Sequence, residues 1–152
     1  MPTSQEILDL ALPLIKKWEG LRLKPYLCSA KKPTIGYGST FYLDGTPVTL
    51  QDKAITEEEA EELLRNTVNK TYLPAVLELC SNLVSPQQYA ALLSWTYNLG
   101  VGALKKSTLL KKIISKNLDQ VPAEIMKWTI ADGKVSKGLI SRRQSEVDMY
   151  LS

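Results

Sequence analysis

The sequence predicts an α+β fold that is mainly helical, and three observations carry that reading. Apolar residues recur at helical spacing near the start of the chain and again from residue 56 onward. Between these stretches, over residues 21 to 50, the texture changes to Thr, Tyr, Ile, Val and Phe punctuated by Pro25, Pro33, Pro47, Gly36, Gly38 and Gly45. No internal repeat or low-complexity tract divides the chain. With 152 residues, 44% hydrophobic and 23% charged, it has the composition of one globular domain. A chain of this length buries roughly 70% of its unfolded surface, enough to support a cleft without disulfides or a structural metal.

Residues 4 to 18 read as an opening helix, with Ser4 as N-cap and Ile7, Leu10, Ala11, Leu14, Ile15 and Trp18 at helical spacing. Gly20 stops it and leaves Glu19 at the C-terminal end. Residues 21 to 50 read as a small antiparallel sheet. Thr34 to Thr40 forms one strand of it, with glycines that allow a neighbour or ligand close to the backbone, and Asp44-Gly45 is a hairpin-type turn.

Thr56-Glu57-Glu58-Glu59 is a capping box, because a Thr at the N-cap and a Glu three residues on satisfy each other's free amides. It opens a helix carrying Ala60, Leu63, Leu64 and Val68. Further helices are expected at 71 to 81, 86 to 98, 107 to 115, 119 to 128 and 138 to 151, separated by Pro86, the break from Asn98 to Gly102, Asn117 and the Ala131-Asp132-Gly133 turn. Tyr89, Trp95 and Trp128 fit a helical core. One domain over 1 to 152 is thus expected, with a small lobe at about 19 to 55, a linking helix at about 56 to 70, and a larger helical lobe at about 71 to 152 that includes the helix 4 to 18. A linking helix so placed predicts a hinge, and with it cleft opening as a substrate enters.

Absences narrow the chemistry. With no His, a Ser-His-Asp hydrolase, a Cys-His protease and a His-ligated zinc site are excluded, which leaves acid and base work to carboxylates, Lys, Tyr and Cys. Cys28 and Cys80 are not in a CxxC pair and read as thiols of a cytosolic protein. The net charge of +3 favours anionic partners. Basic pairs recur from Lys16-Lys17 to Arg142-Arg143, but they are scattered and diluted by 16 acidic residues, so no nucleic-acid partner is expected. The apolar stretch from Ile7 to Ile15 is interrupted by Asp9 and Pro13 and no basic region precedes it, so neither a signal peptide nor a membrane span is expected.

Glu19-Gly20, Cys28 and Thr34-Ile35-Gly36-Tyr37-Gly38, in a helix-then-hairpin context, resemble the phage-type lysozymes, or endolysins, of glycoside hydrolase family 24. Eight residues separate Glu19 from Cys28 and five separate Cys28 from Thr34, the same gaps as in that family's signature of Glu, then Asp or Cys, then Thr. Trp95 to Gly102, Ser107 to Leu110 and Gly138 to Glu146 are similar to later family segments in the same order. The resemblance covers roughly residues 8 to 150.

What it implies is a lysozyme-like fold and a muramidase that cuts the β-1,4 bond between N-acetylmuramic acid and N-acetylglucosamine without metal or cofactor. Breaking a glycosidic bond passes through an oxocarbenium-like state, so one group must protonate the leaving oxygen while another acts on the opposite face of the sugar. Glu19 suits the first role, with Trp18, Leu21 and Tyr26 as local candidates for the apolar wall that helps an acid keep its proton. Cys28 stands where many relatives have Asp, and its role as thiolate base, thiolate nucleophile or polar spacer is open. The resemblance gives Thr34 the hydrolytic water, an arrangement that delivers inversion at the anomeric carbon. It also implies that one arginine of this region orients Glu19, Arg142 in preference to Arg143, while Glu146, four and three residues on, reads as a surface partner that accounts for one of the pair.

Gly38 and Thr40 fall on the small-lobe side of the implied sugar cleft, and Tyr97, Asn98 and Ser107 on the larger-lobe side. The implied partners are peptidoglycan strands and a holin that releases a monomeric enzyme from the host cytoplasm to the cell wall. The alternative is a cationic wall-binding or membrane-disturbing module in which the Cys28 position marks lost catalysis.

Overall fold

The computed structural model describes every residue from Met1 to Ser152. In chain order it contains α1 (Ser4–Glu19), β1 (Arg22–Leu27), β2 (Pro33–Gly36), α2 (Glu57–Thr67), a π-helical turn (Val68–Tyr72), α3 (Leu73–Leu79), α4 (Pro86–Leu99), α5 (Val101–Lys106) and α6 (Thr108–Ile114). A 3-10 turn (Leu118–Gln120), α7 (Val121–Ile125), β3 (Ile130–Ala131), β4 (Lys134–Val135) and α8 (Lys137–Leu151) complete it. This is the mainly helical α+β architecture that the periodicity implied.

α4 is the axis of the molecule. Its residues Tyr89 to Thr96 are all buried, as expected of a helix that is apolar around its whole circumference, and it packs most extensively against α1 and α8. These three helices bring Glu19, Ser94, Asn98 and Arg142 to one end of the core, although up to 123 residues separate them in the chain. A smaller cluster of Ile35, Val48 and Leu63 fastens the β1–β2 hairpin to α2.

Several local expectations are corrected. Thr3, not Ser4, caps α1, because its hydroxyl accepts the Glu6 amide while the Glu6 side chain returns to the Thr3 backbone. The strand expected at 34 to 40 ends at Gly36: Gly36 and Gly38 both take positive φ, so the chain turns at Tyr37 and only Ser39 returns to bridge Ile35. The Thr56 capping box holds as read, but α2 and α3 run together through the π-helical turn instead of as two separate helices. α5 begins directly after Gly100, where only a break was expected, and the 119 to 128 helix is a 3-10 turn followed by the short α7. Around Asp132-Gly133 the turn carries a two-stranded hairpin, β3–β4. Trp95 is fully buried but Trp128 is 37% exposed, stacked edge-on against Trp95 at 5.3 Å, so it lies at the margin of the core rather than within it.

Candidate functional site

Glu19 ends α1, and its side chain retains 21% exposure at the floor of a cleft of about 300 Å³ that Trp18, Asn98, Leu139 and Arg142 help to line. Trp18 is fixed there by donating its indole N–H to Ser145 Oγ at 2.8 Å. Arg142, on α8, donates from Nη1 to Glu19 Oε2 at 2.6 Å. Its Nη2 donates to the Ser94 carbonyl oxygen at 3.1 Å, and its Nε faces Glu146 Oε2 at 3.3 Å. All three guanidinium nitrogens are thus engaged, and a planar fork held at three points has little freedom to swing.

Behind Arg142 lies a buried polar layer. Glu146 is fully buried, accepts the Ser94 hydroxyl at 2.6 Å and faces Arg143 Nε at 2.9 Å. The surface pairing read from the i+3 and i+4 spacing is therefore an internal one. Burial raises the Glu146 carboxyl above its ordinary range against the opposing pull of both arginines and Ser94, and burial lowers Arg143 to about 10. Arg143 Nη2 donates to Asn98 Oδ1 at 2.5 Å. Because a guanidinium only donates, this contact fixes the Asn98 carbonyl inward and leaves its NH2 as the free polar group toward the cleft.

Three tyrosines feel the charge of Glu19. Burial, and after it the Glu19 charge, raises the phenols of Tyr97 and Tyr72, while Tyr26 is raised mainly by burial, against the Arg22 cation over its ring at 4.6 Å. The charges of Glu19 and Cys28 raise the Tyr26 phenol further. Tyr97 donates its hydroxyl to the Tyr37 carbonyl at 2.9 Å and so ties α4 to the hairpin turn. Gly38 sits inside this contact at φ +93°: a Cβ there would stand 3.2 Å from Glu19 Oε1 and 3.3 Å from the Tyr97 hydroxyl.

Cys28 and Thr34 come together at the end of the hairpin. Tyr26 pairs with Thr34, which puts Tyr26, Cys28 and Thr34 on one face of the ribbon. The turn closes with Lys31 donating to the Cys28 carbonyl at 2.8 Å and Cys28 donating to the Lys32 carbonyl at 3.1 Å, a three-residue loop with Lys31 at φ 60° in the position usually taken by glycine. The Cys28 thiol is lowered, first by the Lys32 backbone amide and then by Thr34. Thr34 is only 3% exposed, and its single hydroxyl proton goes to the Lys32 carbonyl at 2.9 Å. It reaches the sulfur only by giving up that bond, so the amide is the stronger cause.

The remaining sequence-derived candidates fall apart spatially. Ser107 is the N-cap of α6, 4% exposed, with its proton donated to the Leu104 carbonyl and one lone pair taken by the Leu110 amide, so its hydroxyl has no proton left to donate to a ligand. Thr40 lines a separate groove with Phe41 and Pro47, and Leu21 is exposed. Ser94, Arg143 and Glu146 are the site residues that sequence reasoning did not place there. The i+3 and i+4 spacing of Glu146 was visible, but no local signal marks its burial against α4. A larger cavity of about 450 Å³ near Leu99, Thr108 and Trp128 contains one carboxylate, Glu124, already paired with Lys127 at 2.7 Å, so the cleft at Glu19 holds the better-armed chemistry. No group of three His, Cys, Asp or Glu side chains is arranged to hold a metal ion.

A phage lysozyme family model matches residues 16–146, which takes in Glu19, the hairpin and the arginine pair. The chain belongs to the phage lysozyme family. As a lysozyme it is a hydrolase. It is 39% identical over 151 residues to the endolysin of Acyrthosiphon pisum secondary endosymbiont phage 1, covering 96% of this chain and 98% of that one. It is also 39% identical to the endolysin of Bacillus phage B103, but spans only 54% of that relative's length. Among solved structures, the endolysin from Escherichia coli O157:H7 phage FAHEc1 superposes with a TM-score of 0.82 at 36% identity, covering 100% of this lysozyme and 94% of that chain. No helix of the lysozyme is long and apolar enough to cross a membrane.

Proposed function

We propose that this lysozyme is an endolysin that hydrolyses the β-1,4 bond between N-acetylmuramic acid and N-acetylglucosamine in bacterial peptidoglycan, with Glu19 as general acid. The observation that carries the reading is the Arg142–Glu19 contact: a half-open carboxyl clamped in a cleft by a buried guanidinium, beside an aromatic wall and an amide donor. Glu19 gives its proton to the glycosidic oxygen as the bond from the anomeric carbon to that oxygen breaks, and a water attacks the carbon from the opposite face. Thr34 spends its hydroxyl proton on Lys32, so its oxygen offers lone pairs that orient the water by accepting a hydrogen. Cys28, with its lowered thiol, takes the remaining water proton as thiolate. The chain's net charge of +3 favours docking on an anionic wall, and Asn98 with Gly38 gives the sugar an amide donor and a backbone it can approach. The α2–α3 run acts as the hinge between a small and a larger lobe of one domain, and a holin gives the monomeric enzyme passage from the host cytoplasm to the wall.

The test is clearing of chloroform-treated Gram-negative cells by wild type and Glu19→Gln, both first shown to fold. The reading expects clearing by the wild type and a loss of about a hundredfold or more in the variant. Equal clearing would remove Glu19 as acid and point to cationic membrane damage. No clearing by either would leave a wall-binding module.

A further inference from the structure

We propose that Glu146 is a positioning residue of this site: one buried carboxylate holds Arg142 toward Glu19 and Arg143 toward Asn98, and by sharing the charge of Arg142 it lets Glu19 stay a proton donor. This rests on the reading of Glu19 as general acid. The geometry divides the carboxylate between two jobs. Oε2 faces Arg142 Nε at 3.3 Å and accepts the Ser94 hydroxyl at 2.6 Å, while Oε1 faces Arg143 Nε at 2.9 Å. Neither Glu146 nor Arg143 exposes any side chain to solvent, so water screens neither contact. Each arginine then has one terminal nitrogen on the cleft side, Arg142 Nη1 on Glu19 and Arg143 Nη2 on Asn98.

The electrostatic consequence follows from charge balance. A guanidinium 2.6 Å from a carboxyl favours the carboxylate, which opposes the task of a general acid. Glu146 offsets part of that cation. Around these groups α4 contributes Ser94, Tyr97 and Asn98 and the π-helical turn Tyr72, all neutral; β1 contributes the neutral Tyr26 with the Arg22 cation over its ring at 4.6 Å, and Glu124 of α7 is occupied with Lys127. The pair of cations on α8 is thus balanced by Glu19 from α1 and Glu146 from α8 itself.

The experiment is the pH profile of kcat/KM on purified peptidoglycan for wild type, Glu146→Gln and Glu146→Asp, with thermal melts in parallel. Glu146→Gln keeps the shape and removes the charge; the limb of the profile that Glu19 sets, the one away from the Cys28 alkylation midpoint, should move to lower pH by about one unit. Glu146→Asp keeps the charge and loses reach; its limb should stay near the wild-type position even where it melts earlier. If Glu146→Gln melts earlier but its limb coincides with the wild type, Glu146 is only structural and the proposal is overturned. Should Glu146→Gln not fold, Arg143→Gln removes the second cation that Glu146 shares and leaves more of its charge to Arg142, so the limb should move to higher pH, and an unmoved limb overturns the proposal. Failure of the underlying reading looks different: Glu19→Gln would keep its activity.

Discussion

Arg142 donates to Glu19 across 2.6 Å and thereby joins the last helix of the chain to the end of the first. The contact is stiff because the same guanidinium is also held by Ser94 and Glu146, so its loss should be felt in both stability and turnover. Arg142→Ala leaves Glu146 with one cation instead of two and should cost about 3–5 kcal/mol in urea unfolding. Arg142→Lys keeps the charge, but a single ammonium cannot serve three acceptors in fixed directions, so cell clearing should slow by about a hundredfold. An unfolding free energy equal to the wild type for Arg142→Ala would show that the internal layer contributes nothing.

Gly38 and Gly45 allow the steric role of the turn to be separated from its backbone strain. Both have positive φ, +93° and +86°, but a Cβ at Gly38 meets Glu19 and Tyr97 whereas one at Gly45 meets nothing within 4 Å. Alanine at either position should cost about 1–2 kcal/mol for the left-handed backbone. Only Gly38→Ala also displaces the acid, and its clearing rate should fall by about a hundredfold while Gly45→Ala keeps the wild-type rate. Equal rates for the two variants would contradict the close approach.

What the sequence disclosed and what it hid divide along the range of the interactions. α1, the Thr56 box and the end of α1 at Glu19 were legible because periodicity and capping are set by residues three or four apart. The hairpin was legible as texture, but Thr34 to Thr40 was overread as one strand because alternation does not reveal that Gly36 and Gly38 adopt positive φ. Ser107 shows a local role that the reading passed over. A serine directly before a helical run is an N-cap signal, and its resemblance to a family segment obscured the simpler role in holding the Leu110 amide. The internal layer was not legible, since Ser94 meets Arg142 and Asn98 meets Arg143 only after α4 packs on α8, 45 to 48 residues away.

Lys31 occupies the left-handed position of the three-residue hairpin loop, at φ 60°, with its side chain exposed. A side chain in that conformation carries a steric penalty that glycine lacks, partly offset by the greater freedom glycine gives the unfolded chain. Lys31→Gly should therefore stabilise the lysozyme by about 0.5–1 kcal/mol in chemical denaturation, with Cys28 and Thr34 kept in place and activity unchanged. Destabilisation would mean that the lysine side chain makes a contribution larger than the strain it imposes.

The two cysteines should differ sharply toward an alkylating reagent, because the thiolate is the reactive form. Burial pushes Cys80 up to about 12, whereas the Lys32 amide, and after it Thr34, lowers the half-exposed Cys28. A lowered pKa means a larger thiolate fraction at any given pH, so native protein treated with iodoacetamide should label at Cys28 alone, with a pH midpoint below that of free cysteine, and Cys80 should label only on unfolding. Thr34→Val should leave most of that lowering in place, since the threonine proton is directed to the Lys32 carbonyl. If Cys28 is the group that takes the water's proton, it must be ionised for turnover. One limb of kcat/KM should then coincide with the alkylation midpoint, and a profile with neither limb near it would remove Cys28 from that step.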